Sequence, residues 1–448
     1  MNIVCIVSDS LRRDHLGCYG NDWISTPNFD AFASESCIML DSYQSSHPTL
    51  PNRTDNFTGR YSFPWRGWSP LPKDELVLAQ WLGEHGYVSQ IIGDTYHMFK
   101  EDFYYYRGFN GWYWVRGQEG DRLVTDADIP VVWPCDRRKI RQPYPDRYPQ
   151  IARNRSRRRV EADWLAPQVY QRACDWLEHN HMHEKWLLWI DGFDPHEPWD
   201  PPQHYVDLYD PGYEGQICDN PEGAKCEFLT PSEVRHTRAR YAAEVTMVDR
   251  WFGKLMRKLE DLQLLDDTVI FHMADHGHYL NYPNDGGLIG KPLGFRGKRF
   301  PMYRSLVNIP TIVRLPRGKG RGRKVRGYVQ PPDLLPTIAG LAGLRVPPER
   351  HGKSYLPLLK GRKQKRRGYA VSASTGEQAT INAGKWSFSI WRGQRPAALF
   401  DLKADPDQKR DVARKNPSVV KRLHRQLFGF LDEVGAPEGF AEAYETQL

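Results

Sequence analysis

Three aspartates and one histidine occupy positions where a fold can bring them together. Asp9, Asp191 and Asp275 each stand at the end of a short apolar run, Ile3–Val7, Trp186–Ile190 and Val269–Met273. His276 directly follows Asp275 in Ala274-Asp275-His276-Gly277. Carboxylates with an adjacent imidazole suit a hard-to-borderline divalent cation, and Mg²⁺, Ca²⁺, Mn²⁺ and Zn²⁺ all accept such donors. Adjacent residues at a strand end converge on one ion when the chain turns there. Whether these side chains meet is decided by the elements that carry them.

Those elements alternate. After the first apolar run comes a turn-rich segment with Gly17, Gly20 and Pro27, and then a helix is predicted over Asn28–Ser36. Further helices are predicted over Leu76–Gly86 and Ala166–His179, with a strand over Tyr87–Gly93. The longest helical period runs from Glu233 to Leu262 without a proline. Strands alternating with helices predict an α/β protein with a mostly parallel central sheet flanked by helices. Functional groups in such sheets collect where strands end. Residues 113–163 lack a period and are rich in Arg, Pro and Tyr, which reads as a basic insertion over the sheet. A Pro- and Lys/Arg-rich break near 345–365 divides a main domain, 1–345, from a small α+β C-terminal subdomain, 346–448, that contains a strand at Trp386–Trp391.

Composition narrows the class. The 448 residues are 40% hydrophobic and 26% charged, which allows a large buried core. Mean hydropathy is −0.67, and no long uninterrupted apolar run argues for a membrane span. The seven cysteines are odd in number and show no CxxC spacing, so neither a disulfide framework nor a structural zinc site is indicated. Met1-Asn2 leads straight into the first strand, so a secretory leader is not expected and a cytoplasmic setting is. The net charge of +7 is uneven: Arg137–Arg159 holds ten Lys/Arg and one Asp, and Arg317–Arg326 and Lys360–Arg367 are further clusters. Such runs read either as solvated loops or as contacts to a polyanion.

Longer motifs link these residues. The chain opens with Ile6-Val7-Ser8-Asp9-Ser10 and continues to Tyr19-Gly20 and Thr26-Pro27-Asn28. It then presents Thr49-Leu50-Pro51-Asn52-Arg53 with Thr58-Gly59-Arg60, and Asp194-Pro195-His196-Glu197-Pro198-Trp199. Tyr241–Gly253 leads into Thr268–Gly277, followed by Lys298, Asn308-Ile309-Pro310, Asp333–Gly343 and Leu399–Pro406. In this order, from about residue 3 to 413, the chain resembles the sulfatase family of the alkaline phosphatase superfamily.

The resemblance implies roles. Asp9, Asp275 and His276, with Thr49, would hold one divalent cation (Mn, Mg, Zn or Ca), and the substrate would be a small anionic ester. Thr49 would be the nucleophile, Arg53 would fork hydrogen bonds onto the nucleophile or the anion, and His196 would bind the anion or protonate the leaving oxygen. Lys298 would add fixed positive charge, with Lys291 as a nearby competitor. Asp191, Asp194 and His196 do not show the spacing of a second metal set, and His278 is expected at the surface.

Three departures bear on the reaction. Sulfatases carry Cys or Ser at the position of Thr49, oxidised to formylglycine; Ser10 replaces a second aspartate; and Gly93-Asp94-Thr95-Tyr96-His97 lacks the lysine of G-K-x-H. These changes favour hydrolysis of phosphodiesters or phosphonate monoesters through a Thr49 covalent intermediate. The alternatives are a sulfuric ester hydrolase working without formylglycine, and a catalytically silent member that binds polyanions.

Overall fold

The computed structural model describes residues 1–141, 147–291, 300–362, 367–375, 377–393 and 396–444. The strands Asn2–Ser8, Trp186–Gly192 and Thr268–Met273 are buried along almost their whole length. Such strands require cover on both faces, the condition of a central parallel strand. Asn2–Ser8 lies between the other two, parallel to both, and Val7 sits opposite Asp191 on one side and Met273 on the other.

In spatial order the eight strands are Arg323–Val325, Cys37–Met39, Thr311–Arg314, Thr268–Met273, Asn2–Ser8, Trp186–Gly192, Val88–Gly93 and Gly111–Trp114. Among the described strands of this sheet, only Thr311–Arg314 runs antiparallel to its neighbours. The sheet is thus mostly parallel, as the alternation of elements predicts. The period of two divides the first strand between two cores. Val4 and Ile6 face the helices Pro27–Ser34, Leu165–Asn180 and Pro231–Asp261, and Ile3, Cys5 and Val7 face Thr49–Thr58, Leu78–Gly83 and Leu334–Ala342.

The 31-residue helix Pro231–Asp261 begins at a capping box. Glu233 N donates to Thr230 Oγ1 (3.3 Å), and Thr230 N donates to Glu233 Oε2 (2.8 Å), which satisfies two otherwise orphaned donors. Midway along it, the Tyr241 hydroxyl donates to Ser10 O (2.8 Å) and accepts from Arg12 N (2.9 Å). The helix thereby fixes the loop that follows Asp9.

Two arrangements differ from the sequence reading. The C-terminal sheet has five strands, Ala370–Ser374, Gln378–Ala383, Trp386–Trp391, Ala398–Asp401 and Ser46–His47. The last comes from the N-terminal part of the chain and pairs parallel with Ala373 and Ser374. A two-residue strand carries no period that a sequence could reveal. The segment read as an aperiodic insertion contributes the Arg147–Arg155 helix. Its Ile140, Tyr148 and Ile151 share a small apolar core with Cys218, Leu229 and Val234. No helix among the described residues is long and apolar enough to cross a membrane.

Candidate active site

The register of the three central strands sets their ends side by side, and the acidic groups follow from it. Asp9, Asp275 and His276 are fully buried, and one ligand atom from each lies within 4.8 Å of the others. Ser10 turns the chain directly after Asp9, with a backbone φ of 62°. Its N–H donates to Asp275 Oδ1 (3.0 Å) and its hydroxyl to Asp9 Oδ1 (2.8 Å).

His276 shows whether this group fits a cation. Its Nδ1 lies 2.8 Å from Gly277 O, and a carbonyl only accepts, so Nδ1 carries the ring proton. Burial lowers its pKa to about 4, so the ring is neutral near pH 7. Nε2 is then a bare lone pair, buried without a hydrogen-bond partner among the described residues and 3.5 Å from Asp275 Oδ2. Unshared lone pairs facing one another in a dry site repel unless a cation lies between them. The donor set fits a divalent cation. Burial and the charge of Asp275 push Asp9 well above the usual carboxylate range. Burial acts on Asp275 in the same direction, but His276 and Arg53 outweigh it and hold that carboxyl low.

The Thr49–Thr58 helix faces these carboxylates. Residues three and four apart share a helix face, so Thr49, Asn52 and Arg53 point one way. Asn52 Nδ2 donates to Asp275 O (2.9 Å). Arg53 donates from Nη2 to Asp191 Oδ1 (2.9 Å) and Asp9 Oδ2 (3.2 Å), from Nε to Asp191 Oδ2 (3.1 Å), and from Nη1 to Asp275. Its fork therefore rests on three carboxylates. Asp191 also accepts from Thr95 Oγ1 (2.9 Å) and Trp189 Nε1 (3.0 Å), which leaves it as the anchor of Arg53. Gly59, at φ 70°, closes the helix in a left-handed conformation that glycine adopts at no steric cost.

Thr49 is 2% exposed and lines a cavity of about 1230 Å³ together with His47, His196 and Lys291. Lys298 lies outside the described residues. Lys291 has its Nζ 3.9 Å from Asp9 Oδ1, and burial lowers its pKa from the ordinary lysine value. Nδ1 of His196 donates to Glu197 O (2.5 Å), so Nε2 of the neutral ring is an acceptor. Burial, with Lys291 and Arg141, holds that ring well below the usual histidine pKa.

His278, expected at the surface, is fully buried, with Nε2 3.5 Å from Glu197 Oε2. Glu197 also accepts from Arg141 Nη1 (2.6 Å). Burial alone would raise its pKa, but His278, Lys291 and Arg141 bring it down to about 2. His47 and Glu197 were not singled out in the sequence. Their only signal there is adjacency, to Pro48-Thr49 and to His196. Arg141, Arg147 and Arg153 of the basic stretch also line the cavity.

A mostly parallel sheet, a buried Asp/Asp/His donor set at its strand ends and a cationic cavity above them define a hydrolase of anionic esters. The chain belongs to the sulfatase family, whose profile matches residues 1–344, and a profile described as N-sulphoglucosamine sulphohydrolase, C-terminal, matches residues 292–432. Members of this family are typically dependent on a divalent metal. N-acetylgalactosamine-6-O-sulfatase of Bacteroides thetaiotaomicron is 22% identical over 95% of this chain and 92% of its own length. Choline-sulfatase of Rhizobium meliloti is 25% identical over 93% of this chain and 83% of its own. Phosphonate monoester hydrolase of Agrobacterium radiobacter shares the fold, with a TM-score of 0.75 at 18% identity over 97% of this chain and 96% of that one.

Proposed function

We propose that this hydrolase cleaves phosphodiesters or phosphonate monoesters, with the Thr49 hydroxyl as nucleophile and phosphorylated or phosphonylated Thr49 as the covalent intermediate. The observation that carries the reading is a threonine at the N-terminus of a buried ten-residue helix, facing a cationic cavity. Threonine is a secondary alcohol, so its oxidation gives a ketone and not the formylglycine aldehyde of sulfatases. The side chain keeps its hydroxyl, and a hydroxyl suits direct attack on phosphorus. Backbone N–H groups at the helix start favour negative charge there.

Asp9, Asp275 and His276 would hold one divalent cation, which when bound supplies Lewis acidity that activates the hydroxyl and offsets charge on the transferred group. The residues do the rest. As the Thr49 Oγ–P bond forms and the P–O bond to the leaving group breaks, the hydroxyl proton passes to His196 Nε2 and on to the departing oxygen. Water then attacks phosphorus and gives up a proton to His196 Nε2 as the P–Oγ bond breaks, and His196 passes that proton to the Thr49 oxygen. Lys291 adds the positive charge expected of Lys298, and Arg53 positions Asp9, Asp191 and Asp275.

A second reading, sulfuric ester hydrolysis without formylglycine, is favoured by the names of the two curated relatives given above, N-acetylgalactosamine-6-O-sulfatase and choline-sulfatase. Turnover of p-nitrophenyl phosphodiester, phosphonate and sulfate esters by the metal-loaded protein separates the two. The first reading predicts that a phosphorus ester is preferred. A sulfate preference above about tenfold, ~1.4 kcal/mol in transition-state stabilisation, contradicts it.

A further inference from the structure

The cavity above Thr49 holds more positive charge than one ester anion requires. Among the described residues, six lysines and arginines line it against two glutamates. Three of the six already face carboxylates: Lys291 stands beside Asp9, Arg141 pairs with Glu197 and Arg147 pairs with Glu119. Among the described residues Lys100, Arg122 and Arg153 have no carboxylate partner, and the buried Arg153 Nε has no hydrogen bond.

These cations sit on a built surface. Along the Arg147–Arg155 helix, Tyr148, Ile151 and Asn154 are buried at three-residue spacing, and Arg147, Gln150 and Arg153, each one residue away, line the cavity. Asn154 Nδ2 donates to Gly117 O (3.0 Å) and Asp121 O (2.8 Å), and Gln150 Nε2 donates to Val124 O (2.9 Å). The loop that carries Arg122 is thus tied to the helix that carries Arg153, while Lys100 and the exposed ring of Trp68 come from other segments of the wall.

We infer that the substrate carries a second anionic group, remote from the ester that is attacked, and that Arg122 and Arg153, with Lys100, bind it. The inference rests on the ester-hydrolase reading for its place in catalysis, but its test reads binding alone. A guanidinium with no carboxylate partner gains a charge-assisted hydrogen bond when such a group arrives.

Calorimetric titration at fixed ionic strength would compare benzenesulfonate with aryl disulfonates of increasing length, built on benzene, naphthalene and biphenyl. At least one disulfonate should bind about tenfold more tightly than benzenesulfonate, a typical gain for one charge-assisted contact. Arg122→Gln with Arg153→Gln should remove that advantage. Arg122→Gln alone, at an exposed position, should reduce it about threefold if the double variant folds poorly. Lys319→Gln with Lys324→Gln, which removes the same charge outside the cavity, should leave it in place. The inference is overturned if no disulfonate outbinds benzenesulfonate, if the advantage survives in the double variant, or if the control pair removes it equally. Normal disulfonate binding without turnover of any ester would instead discredit the catalytic reading and leave the second anion site standing.

Discussion

The two oxygens of Asp275 have separate partners. Oδ1 accepts from Ser10 N (3.0 Å) and His276 N (2.7 Å), while Oδ2 faces Arg53 and the bare Nε2 of His276. Asp275→Asn keeps the shape but puts an amide in place of a charge that both a cation and Arg53 require. The variant should lose bound metal and activity together, and its stability should fall by about 3 kcal/mol as a buried ion pair is broken. Metal analysis after desalting and a denaturant melt check this; full metal occupancy would remove Asp275 from the ligand set. Asp9, Asp275 and His276 were legible in the sequence because each adjoins an apolar run that ends in a turn. The burial of His278 was not, since the groups around it, the Trp199 ring (centroids 5.0 Å apart) and Glu197, come from a distant part of the chain. The strand-end carboxylates Asp9, Asp191 and Asp275 were all legible from their apolar runs, but that the Arg53 fork rests on all of them was not, since nothing around Arg53 in the chain marks its partners.

At the scale of elements, buried polar groups on the strands tie the site to solution conditions. His272, in the middle of Thr268–Met273, is fully buried, and burial lowers its pKa to about 3. Ser8 Oγ lies 3.2 Å from its Nε2 and links two neighbouring strands. The unfolded chain takes up this proton near its ordinary value of about 6.5. The stability that neutral His272 contributes is therefore present above about pH 6.5 and is lost progressively as pH falls towards 3. One such proton gives a slope of about 1.4 kcal/mol per pH unit. His272→Gln should melt at a lower temperature at pH 7, yet lose less on acidification to pH 5 than the parent protein. Parallel slopes in the two melting curves would show that His272 does not titrate in this way. Long elements such as Pro231–Asp261 were readable because a helical period sustained over many turns has few alternatives. The Arg147–Arg155 helix was not, since its apolar face consists of only Tyr148, Ile151 and the polar Asn154, and the arginines around them mask the period.

The whole molecule joins two sheets through the segment that carries Thr49. Ser46–His47 pairs with Ala370–Ser374, Asp55 accepts from Ser46 N (3.1 Å) and Ser62 N (2.7 Å), and Asn52 Nδ2 donates to Asp275 O (2.9 Å), so the Thr49–Thr58 helix is tied to the C-terminal sheet and to a strand end of the central one. We therefore propose that the division at 345/346 is not a functional boundary. A chain ending at residue 345 retains every strand of the eight-stranded sheet, but it should lose at least about a hundredfold in activity because Ser46–His47 has no partner. Undiminished turnover by the truncated chain would refute this. The division of the main domain into strands and helices was visible in the sequence, while the return of an N-terminal segment into the C-terminal sheet was not. Backbone pairing over two residues leaves no trace in side-chain pattern.

Attack of Thr49 on the ester is the step on which the proposed function stands. Brief incubation of the metal-loaded protein with an activated phosphodiester, followed by intact-protein and peptide mass spectrometry, tests it directly. A phosphoryl adduct is expected on the peptide containing Thr49, with neither adduct nor turnover in a folded Thr49→Ala variant. Metal-dependent turnover that persists in Thr49→Ala, with no adduct in the parent protein, would contradict it.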